Sequence, residues 1–398
     1  MKGILNSAIR SVQQSKAAWC RFITGNDTGT TGSHQAGFYI PKCASALLFD
    51  EPGKKGENKE KTVLIKWQDD FTTESCMKYY GQGTRNEYRI TRFGRAFPFL
   101  QDDNVGDLLI IAKFTEEDYA GYVLSRDEDI DEFFATFNLA PNETNQLIDV
   151  AGHVSSDQRI EQLLHEFANR FDSFPDTRVM AAGARDCYIQ AYNVHDVAFK
   201  TIPDELLLSW VNVEYRLFRF LEERIYFNTL AKPFNSIESF VKMANEVLNR
   251  RKSRAGKSLE HHLADIFARN ELVFEEQAIT EDNKKPDFLF PNAECYHNLQ
   301  FPAENLIVLG AKTTCKDRWR QVLTEADRVD NKFLFTLQPG VTKNQLREMC
   351  AARLTLVVPK GYLEFFPSEY HQNIYNLGQF ISMVRVKQQC LPRYYTKA

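Results

Sequence analysis

Short apolar runs alternate with amphipathic stretches through the last third of the chain, and this alternation limits the possible folds more than any other feature. The apolar runs have the length of buried strands, and the stretches between them space their apolar residues as helices do. Strands that alternate with helices predict an α/β domain with a central sheet. The predicted strands cover 286–291, 304–312, 332–337 and 354–359, and the predicted helices cover 258–270, 317–329 and 343–353.

The first half of the chain predicts a different kind of domain. A loop rich in Gly, Thr and Asn covers 25–41, and its glycines permit close approach of the backbone to a ligand. Several short strands separated by turn residues then predict a β-barrel or β-sandwich. Those strands cover 61–67, 86–93, 107–114 and 120–126, and residues 1–22 read as a helix or arm.

Helical periodicity occupies the region between these two patterns. Residues 160–171 predict one helix, and residues 202–248 predict two or three. The segment DSFPDTR (172–178) is polar and contains proline, which is typical of a linker. We therefore predict an N-terminal domain over 1–171, a linker over 172–178 and a second domain over 179–398.

Composition excludes several protein classes. The chain has 398 residues, 43% of them hydrophobic, and a net charge of −4, so it is neither disordered nor collagen-like. The N-terminus lacks the apolar core of a signal peptide, and no apolar run is long enough to span a membrane. The eight cysteines are scattered without a CxxC pair, which favours reduced thiols in a cytoplasmic protein. Because a balanced total charge can conceal a basic face, the question of nucleic-acid binding depends on local patches.

The strongest chemical pattern is Pro286-Asp287 followed on the next predicted strand by Lys312. If the two strands pair, Asp287 and Lys312 meet at one sheet edge, with Glu260 on the preceding helix and Glu325 on the following one. Carboxylate oxygens hold Mg²⁺, and a nearby lysine positions water and offsets charge on phosphate. The set therefore suits phosphodiester hydrolysis. The alternative is a turn at Asp287 and a solvated Lys312.

Charged residues directly after Lys312 suit the reading of base pairs. Lys and Arg donate to guanine, and a carboxylate accepts from cytosine, so Lys316, Asp317 and Arg318 fit G·C pairs. Upstream, the basic cluster 250–257, which includes Arg254 and Lys257, suits phosphate contacts. Arg251 stands where a P-loop needs glycine, so we expect no nucleotide cofactor. The alternative for the residues after Lys312 is the charged first turn of a surface helix. The alternative for the cluster 250–257 is a solvated start of a helix.

A second set of possible base readers lies in the first half. Strand periodicity places Arg85, Glu87 and Arg89 on one face, and Arg92 follows. The alternative is a polar sheet face with cross-strand ion pairs. His34 lies in the Gly/Thr loop, where an ordinary loop histidine is the alternative to a ligand contact.

Long stretches of the sequence resemble the EcoRII family of type IIE restriction endonucleases. The strings that carry the resemblance are NDTGTTGSHQAGFYIP, TRNEYRITRFGR, RRKSRAGKSLE, QAITEDNKKPDFLFP and KTTCKDRWRQVLTEAD, between residues 25 and 359. The resemblance implies an N-terminal DNA-binding pseudobarrel followed by an α/β nuclease domain of the PD-(D/E)xK type. Gly310 stands where the motif usually has its acidic residue, and Glu325 matches the acid that this family takes from the next helix.

The resemblance also implies roles for the DNA-contacting residues. Lys316, Asp317 and Arg318 resemble readers of CC/GG pairs in the catalytic domain, and Tyr215 fits the aromatic that stacks on a flipped base. Arg254 and Lys257 are expected to contact DNA as members of the basic cluster. Val211, one turn before Tyr215, replaces an arginine of that pocket. In the N-terminal domain, Arg85, Glu87 and Arg89 resemble the family's readers of effector DNA. We expect His34, Tyr88 and Arg92 to contact the same DNA, with Tyr88 standing where the family has a basic reader and Gly83 replacing another.

Together these expectations describe a cytoplasmic, Mg²⁺-dependent homodimer that cuts CC(W or N)GG and binds a second site copy as allosteric effector. Two alternatives stay open. One is a sequence-specific DNA-binding protein with a silent nuclease centre, and the other is a repair nuclease of relaxed specificity.

Overall fold

The computed structural model describes residues 2–29, 37–94, 97–137, 139–140, 143–148 and 158–391. The chain forms two compact units. The N-terminal unit contains residues 1–153 with 338–347 and 364–370, and the C-terminal unit contains 154–337 with 348–363 and 371–398.

The described part of the N-terminal unit contains an eight-stranded sheet in the order β2-β5-β4-β3-β7-β6-β1-β8. Neighbouring strands are antiparallel except for the parallel pair β3–β7. The strands are β1 (Ala17–Phe22), β2 (Phe38–Ile40), β3 (Lys59–Trp67), β4 (Thr72–Tyr80), β5 (Glu87–Thr91), β6 (Leu108–Lys113), β7 (Asp118–Leu124) and β8 (Gln146–Leu147). The helices are α1 (Lys2–Gln14), α2 (Gly25–Thr28), α3 (Ser45–Leu48) and α4 (Asp127–Phe137).

Both faces of this sheet are covered. An aromatic-rich core around Phe38, Trp67 and Tyr79 fills one side. Helices α1 and α4 pack Leu5 and Phe133 onto Phe22 on the other side. The predicted helix or arm over 1–22 is therefore wrong beyond Gln14. Residues Ala17–Phe22 form β1, which pairs with β6, because the run AAWCRF buries residues on both faces of the sheet.

The C-terminal unit is built on a six-stranded sheet in its described residues, in the order β14-β13-β12-β11-β10-β9. Strands β11 to β14 are parallel, and β9 and β10 are antiparallel to their neighbours. The strands are β9 (Glu275–Glu276), β10 (Phe288–Phe290), β11 (Ile307–Lys312), β12 (Lys332–Thr336), β13 (Leu354–Val358) and β14 (Ile374–Asn376). The helices are α5 (Gln158–Ala168), α6 (Thr177–Tyr192), α7 (Asp196–Thr201), α8 (Pro203–Leu230), α9 (Ile237–Arg269), α10 (Ala293–His297), α11 (Trp319–Leu323) and α13 (Leu377–Gln389), and α12 (Lys343–Ala351) is divided between the two units after Arg347.

Two helices differ from the sequence prediction. The predicted helix over 258–270 is the second half of α9, a single helix of 33 residues that starts at the N-cap Ser236. Helix α5 packs Ile160 and Leu164 against Leu217 of α8. It thus belongs to the C-terminal unit, whereas the predicted boundary at 172–178 assigned it to the N-terminal domain. No helix in the described ranges is both long and apolar enough to cross a membrane.

Candidate active site and DNA-contact residues

Asp287 and Lys312 lie together at the end of the antiparallel pair β10–β11. Asp287 precedes β10 and Lys312 ends β11, and the register that opposes Phe288 to Leu309 places both at one edge. The Lys312 Nζ donates to Asp287 Oδ2 at 2.9 Å, and the backbone N–H of Ala311 donates to the same oxygen at 2.7 Å. The structure therefore brings together the two side chains that the sequence pattern singled out.

Glu325 joins this pair from a turn. The predicted helix over 317–329 is wrong in length, because α11 ends at Leu323 and Ala326 adopts a left-handed backbone with φ 52°. Glu325 therefore follows α11 instead of lying on it. Burial and the charge of Asp287 raise the pKa of Glu325 to about 7, although Lys312 and Lys332 oppose this. Its Oε2 is buried and has no hydrogen-bond partner.

Glu260, on α9, completes the cluster. Burial and the neighbouring Asp287 raise its pKa, while Lys257 and Lys312 oppose the rise. The Lys257 Nζ donates to Glu260 Oε2 at 2.7 Å. The Gln277 amide also reaches Glu260 Oε2, at 3.5 Å, and Asp287 Oδ1, at 3.1 Å. Sequence reasoning missed Gln277, and its only signal is its place in the string that leads to Pro286-Asp287.

The donor set fits a hard divalent cation. Within the described part of the chain no three His, Cys, Asp or Glu side chains form a complete metal cage. Mg²⁺ does not need one, since it keeps several waters and binds one or two carboxylates together with substrate phosphates. Asp287 and the unpartnered buried oxygen of Glu325 are such carboxylates. A bound cation would offset the repulsion that raises the pKa of Glu325.

The basic cluster 250–257 is largely matched by charges of the same unit. Arg251 makes two hydrogen bonds to Glu222, at 2.7 and 2.6 Å, and Arg250 lies 3.6 Å from Glu246. Lys257 contacts Glu260 as described above. The segment lies in the middle of α9, so its alternative reading as a helix entry is wrong.

Arg254 is buried and stacks on Tyr215. Its guanidinium carbon lies 3.7 Å from the centre of the Tyr215 ring, and only 2% of the arginine and 3% of the tyrosine are exposed. Its Nη1 is 3.8 Å from Oε1 of the buried Glu214. Contact between either side chain and DNA stays a prediction, because neither reaches the surface in this conformation.

A neutral histidine accompanies this buried charge pair. Burial lowers the pKa of His262, and its Nε2 lies 2.8 Å from Glu214 Oε2. Burial raises the pKa of Glu214, but the contacts with His262, Arg254 and Ser258 outweigh burial and hold it below its ordinary value. The carboxylate and the guanidinium are therefore the charged partners behind Tyr215.

Lys316, Asp317 and Arg318 occupy the turn between β11 and α11. Asp317 is exposed, and Lys316 and Arg318 are half-buried. The turn directly follows Lys312, so these three residues are close in sequence to the candidate cluster. Their predicted reading of G·C pairs remains a prediction.

In the N-terminal unit, β5 presents Glu87 and Arg89 on its half-buried face, where Arg89 Nε lies 3.3 Å from Glu87 Oε1. Arg85 and Arg92 are exposed at either end of the strand. The predicted contact of Tyr88 with DNA stays a prediction, because its ring is buried in this conformation. Strand alternation turns this ring inward, where it is 3% exposed and its hydroxyl accepts the Gly53 N–H at 2.7 Å. His34 lies outside the described residues.

Comparison with known proteins decides the family. The family model described as "EcoRII C terminal" matches residues 218–381, and the one described as "Restriction endonuclease EcoRII, N-terminal" matches residues 12–145. The type II restriction enzyme EcoRII of Escherichia coli is 37% identical over 378 residues, which cover 90% of this chain and 92% of that protein. The chain belongs to the EcoRII family.

As a member of the EcoRII family, the protein is a type II restriction endonuclease, a site-specific deoxyribonuclease that binds DNA. The predicted fold, a β-rich N-terminal pseudobarrel followed by an α/β nuclease domain, is confirmed. Two solved restriction-enzyme structures are also similar. A PspGI–substrate DNA complex has a TM-score of 0.46 at 16% identity and covers 54% of this chain and 94% of its own. Metal-depleted Ecl18kI with uncleaved, modified DNA has a TM-score of 0.45 at 18% identity and covers 62% and 87%.

Proposed function

We propose that this EcoRII-family enzyme is a Mg²⁺-dependent homodimer that cuts both strands at CC(W or N)GG, with the N-terminal domain binding a second site copy as effector. The observation that carries the proposal is the contact between Lys312 Nζ and Asp287 Oδ2, with Glu260 and Glu325 within electrostatic reach. A lysine among three carboxylates, at the neighbouring ends of two interior strands, is the set of groups that phosphodiester hydrolysis needs.

Each side chain of the cluster has a task in that reaction. Asp287 and Glu325 would hold the cation, which polarises the phosphoryl group and lowers the pKa of bound water. Lys312 lies beside Asp287, where its ammonium orients the attacking water and offsets the negative charge that accumulates on phosphate. Glu260 adds a third carboxylate whose charge Lys257 balances.

A double-strand cut needs two such centres, and each chain supplies one. The hairpin of α8 and α9 offers a surface for a second copy. Several of its apolar side chains are exposed, and two of them, Leu230 and Phe240, line a groove of about 410 Å³ that also contacts Tyr226 and Met243. The exposed side chains are Phe227 (65%), Leu230 (62%), Ile237 (78%), Phe240 (52%) and Val241 (46%). Exposed apolar surface of this extent is typical of a protein–protein interface.

The effector role rests on β5. Glu87 and Arg89 lie on one face of this strand, and Arg85 and Arg92 flank it. Glutamate and arginine can hydrogen-bond to base edges, and the arginines can also bind phosphates. In the catalytic unit, Lys316, Asp317 and Arg318 supply the same donor and acceptor types for outer CC and GG pairs.

The test is cleavage of a sequenced plasmid with Mg²⁺ or with EDTA, followed by mapping of the ends. We expect discrete fragments with Mg²⁺ only and ends within CC(W or N)GG. Asp287→Asn and Lys312→Ala should abolish cutting and retain specific DNA binding, while Lys200→Ala, an exposed lysine of the same unit, should cut normally. Binding without cutting by the wild-type protein would favour the silent-centre alternative, and smeared products would favour relaxed specificity.

The effector role has its own test. Cleavage of a one-site plasmid should accelerate when oligonucleotides that carry the site are added, by about 5- to 150-fold for a coupling of 1–3 kcal/mol. Arg89→Ala should remove this stimulation, whereas Lys66→Ala, an exposed lysine on another strand of the same unit, should retain it. If oligonucleotides have no effect on the wild-type rate, the effector role is refuted.

A further inference from the structure

The side-chain amide of Gln277 bridges two carboxylates of the candidate active site. Its Nε2 donates to Asp287 Oδ1 at 3.1 Å and approaches Glu260 Oε2 at 3.5 Å. Ionised carboxylates only accept hydrogen bonds, so the nitrogen and not the oxygen of the amide faces them. One neutral group thereby serves both acids.

The backbone at Gln277 is held in an unfavourable conformation. Its φ of 54° lies in the left-handed region, which side chains other than Gly, Asn and Asp rarely adopt. Its N–H donates to the carbonyl of Asp287 at 3.3 Å, just beyond the pairing of β9 with β10. Such conformations persist where the surrounding structure enforces them, commonly at functional sites. Here the backbone contact and the side-chain contact both end on Asp287.

The remaining donors around Asp287 explain why an amide suits this place. Lys312 Nζ and the Ala311 N–H both donate to Oδ2, so Gln277 is the donor that orients Oδ1. A cationic side chain there would compete with a metal ion for the carboxylates. A further acid would increase the repulsion that, together with burial, raises the pKa of Glu260. An uncharged donor avoids both effects.

We propose that Gln277 is a positioning residue of the nuclease, which fixes Asp287 in the orientation that takes up the divalent cation and holds Glu260 beside it. The proposal rests on the active centre assigned under Proposed function. Partners that orient metal-binding carboxylates commonly alter metal affinity or activity by 10- to 100-fold when they are removed. Gln277 acts through Asp287 and Glu260 and need not touch DNA.

The test uses Gln277→Asn in the full-length protein. Asparagine keeps the amide and tolerates the left-handed backbone better than glutamine, but it is one methylene shorter. Gln277→Leu is the second variant, since it removes the donor at similar size. Gln300→Asn makes the same chemical change at an exposed position of the same unit and serves as the matched control.

Two quantities are measured. The first is Mn²⁺ affinity of the DNA-free protein, by electron paramagnetic resonance of the free ion. The second is the single-turnover cleavage rate as a function of Mg²⁺ concentration. For Gln277→Asn and Gln277→Leu we expect Mn²⁺ affinity about 10- to 100-fold weaker and the Mg²⁺ midpoint shifted upward by a similar factor, with much of the rate recovered at saturation. Gln300→Asn should match wild type.

The outcomes separate the two proposals. If Asp287→Asn binds Mn²⁺ as wild type does, the assigned active centre is wrong. If Asp287→Asn loses Mn²⁺ while both Gln277 variants keep wild-type affinity and midpoint, the centre stands and the positioning role is refuted. Thermal unfolding in EDTA identifies a variant that fails to fold, and the other Gln277 variant then decides.

Discussion

Gly310 lies directly beneath Val322, so closely that a Cβ at position 310 would stand 2.6 Å from Val322 Cγ2. Position 310 is two residues before Lys312, where the usual motif carries its acid. Because α11 packs Val322 onto the strand at this point, no acidic side chain fits, and Glu325 approaches Asp287 from beyond the helix instead.

We expect Gly310→Ala to lower the free energy of unfolding by about 1–3 kcal/mol, the cost of overpacking a filled core. Combination with Val322→Ala should restore part of the loss. Gly256→Ala is the control, because nothing lies within 4 Å of its added Cβ and alanine is favoured inside a helix. Urea denaturation measures all four proteins. A neutral Gly310→Ala would show that α11 does not press on β11.

Lys257 and Glu260 should behave as a unit. Lys257→Met and Glu260→Gln should each slow cutting about 10-fold or more, and the double variant should be no slower than Glu260→Gln, since the lysine acts through the carboxylate it contacts. Single-turnover cleavage rates of the wild type, the two single variants and the double variant give the double-mutant cycle. Arg250→Met is the control, and its effect on the rate should add independently to that of Glu260→Gln. If Lys257→Met instead lowers the salt dependence of DNA binding by about one unit without coupling to Glu260, the lysine is a phosphate contact.

Stability of the metal-free enzyme should depend on the ionisation of Glu325. Its pKa of about 7 exceeds the ordinary value of 4.5, so between these values the folded protein binds more protons than the unfolded chain, and stability falls as pH rises. Glu325→Gln does not titrate. In EDTA the variant should equal wild type near about pH 4 and gain up to about 3 kcal/mol over it at about pH 8. Equal pH dependence of the two proteins, by urea denaturation, would contradict the raised pKa.

Base reading by Arg318 should appear as a loss of specificity. Arg318→Ala should weaken binding to the site by about 1–3 kcal/mol and leave binding to random DNA nearly unchanged, as expected for one bidentate arginine–guanine contact. Arg320→Ala serves as the control, because Arg320 pairs with Glu348. Titration of site-containing and random duplexes in Ca²⁺ measures both affinities. An equal loss on both duplexes would exclude the proposed reading.

The C-terminal unit should fold alone only if it keeps α5. Ile160 and Leu164 are fully buried against α6 and α8, and each buried aliphatic side chain contributes about 1.5–3 kcal/mol. A fragment that begins at residue 154 should therefore unfold cooperatively, and one that begins at residue 174 should be less stable by at least about 3 kcal/mol. Equal denaturation midpoints would restore the linker at 172–178 as the domain boundary.

The sequence anticipates those parts of the structure in which local pattern and burial agree. The strands around Asp287 and Lys312 are apolar runs between turns, so their existence follows from the local pattern. The meeting of the two side chains depends on the pairing of these strands, which the structure supplies. Glu325, in contrast, continues a helical periodicity past Leu323, and only the left-handed Ala326 ends the helix. The local sequence pattern does not predict the left-handed conformation of Ala326, because that conformation arises from the turn that the chain makes before β12.

Tyr88 and Arg254 also differ from the sequence prediction, because the structure buries two side chains that were expected to contact DNA. Tyr88 lies between Glu87 and Arg89 on β5. Because side chains alternate between the two faces of a strand, the alternation that leaves the two charged residues half-buried turns the ring inward, and the sequence pattern alone could have predicted this. Arg254 stands among four other basic residues and reads as solvated. Its burial depends on Glu214 and Tyr215, which are remote in sequence and approach it only when α8 and α9 pack together.

Helix α9 carries Phe240 of the exposed apolar hairpin and Glu260 of the active centre on one uninterrupted rod. Twenty residues of α-helix span about 30 Å, so any protein that docks on the hairpin stands at a set distance from the cleavage chemistry. In a two-fold dimer that is joined through this hairpin, the length of α9 sets the distance between the two scissile phosphates. It therefore also sets the stagger between the two cuts. An inserted or deleted turn of α9 should then change the length of the overhang.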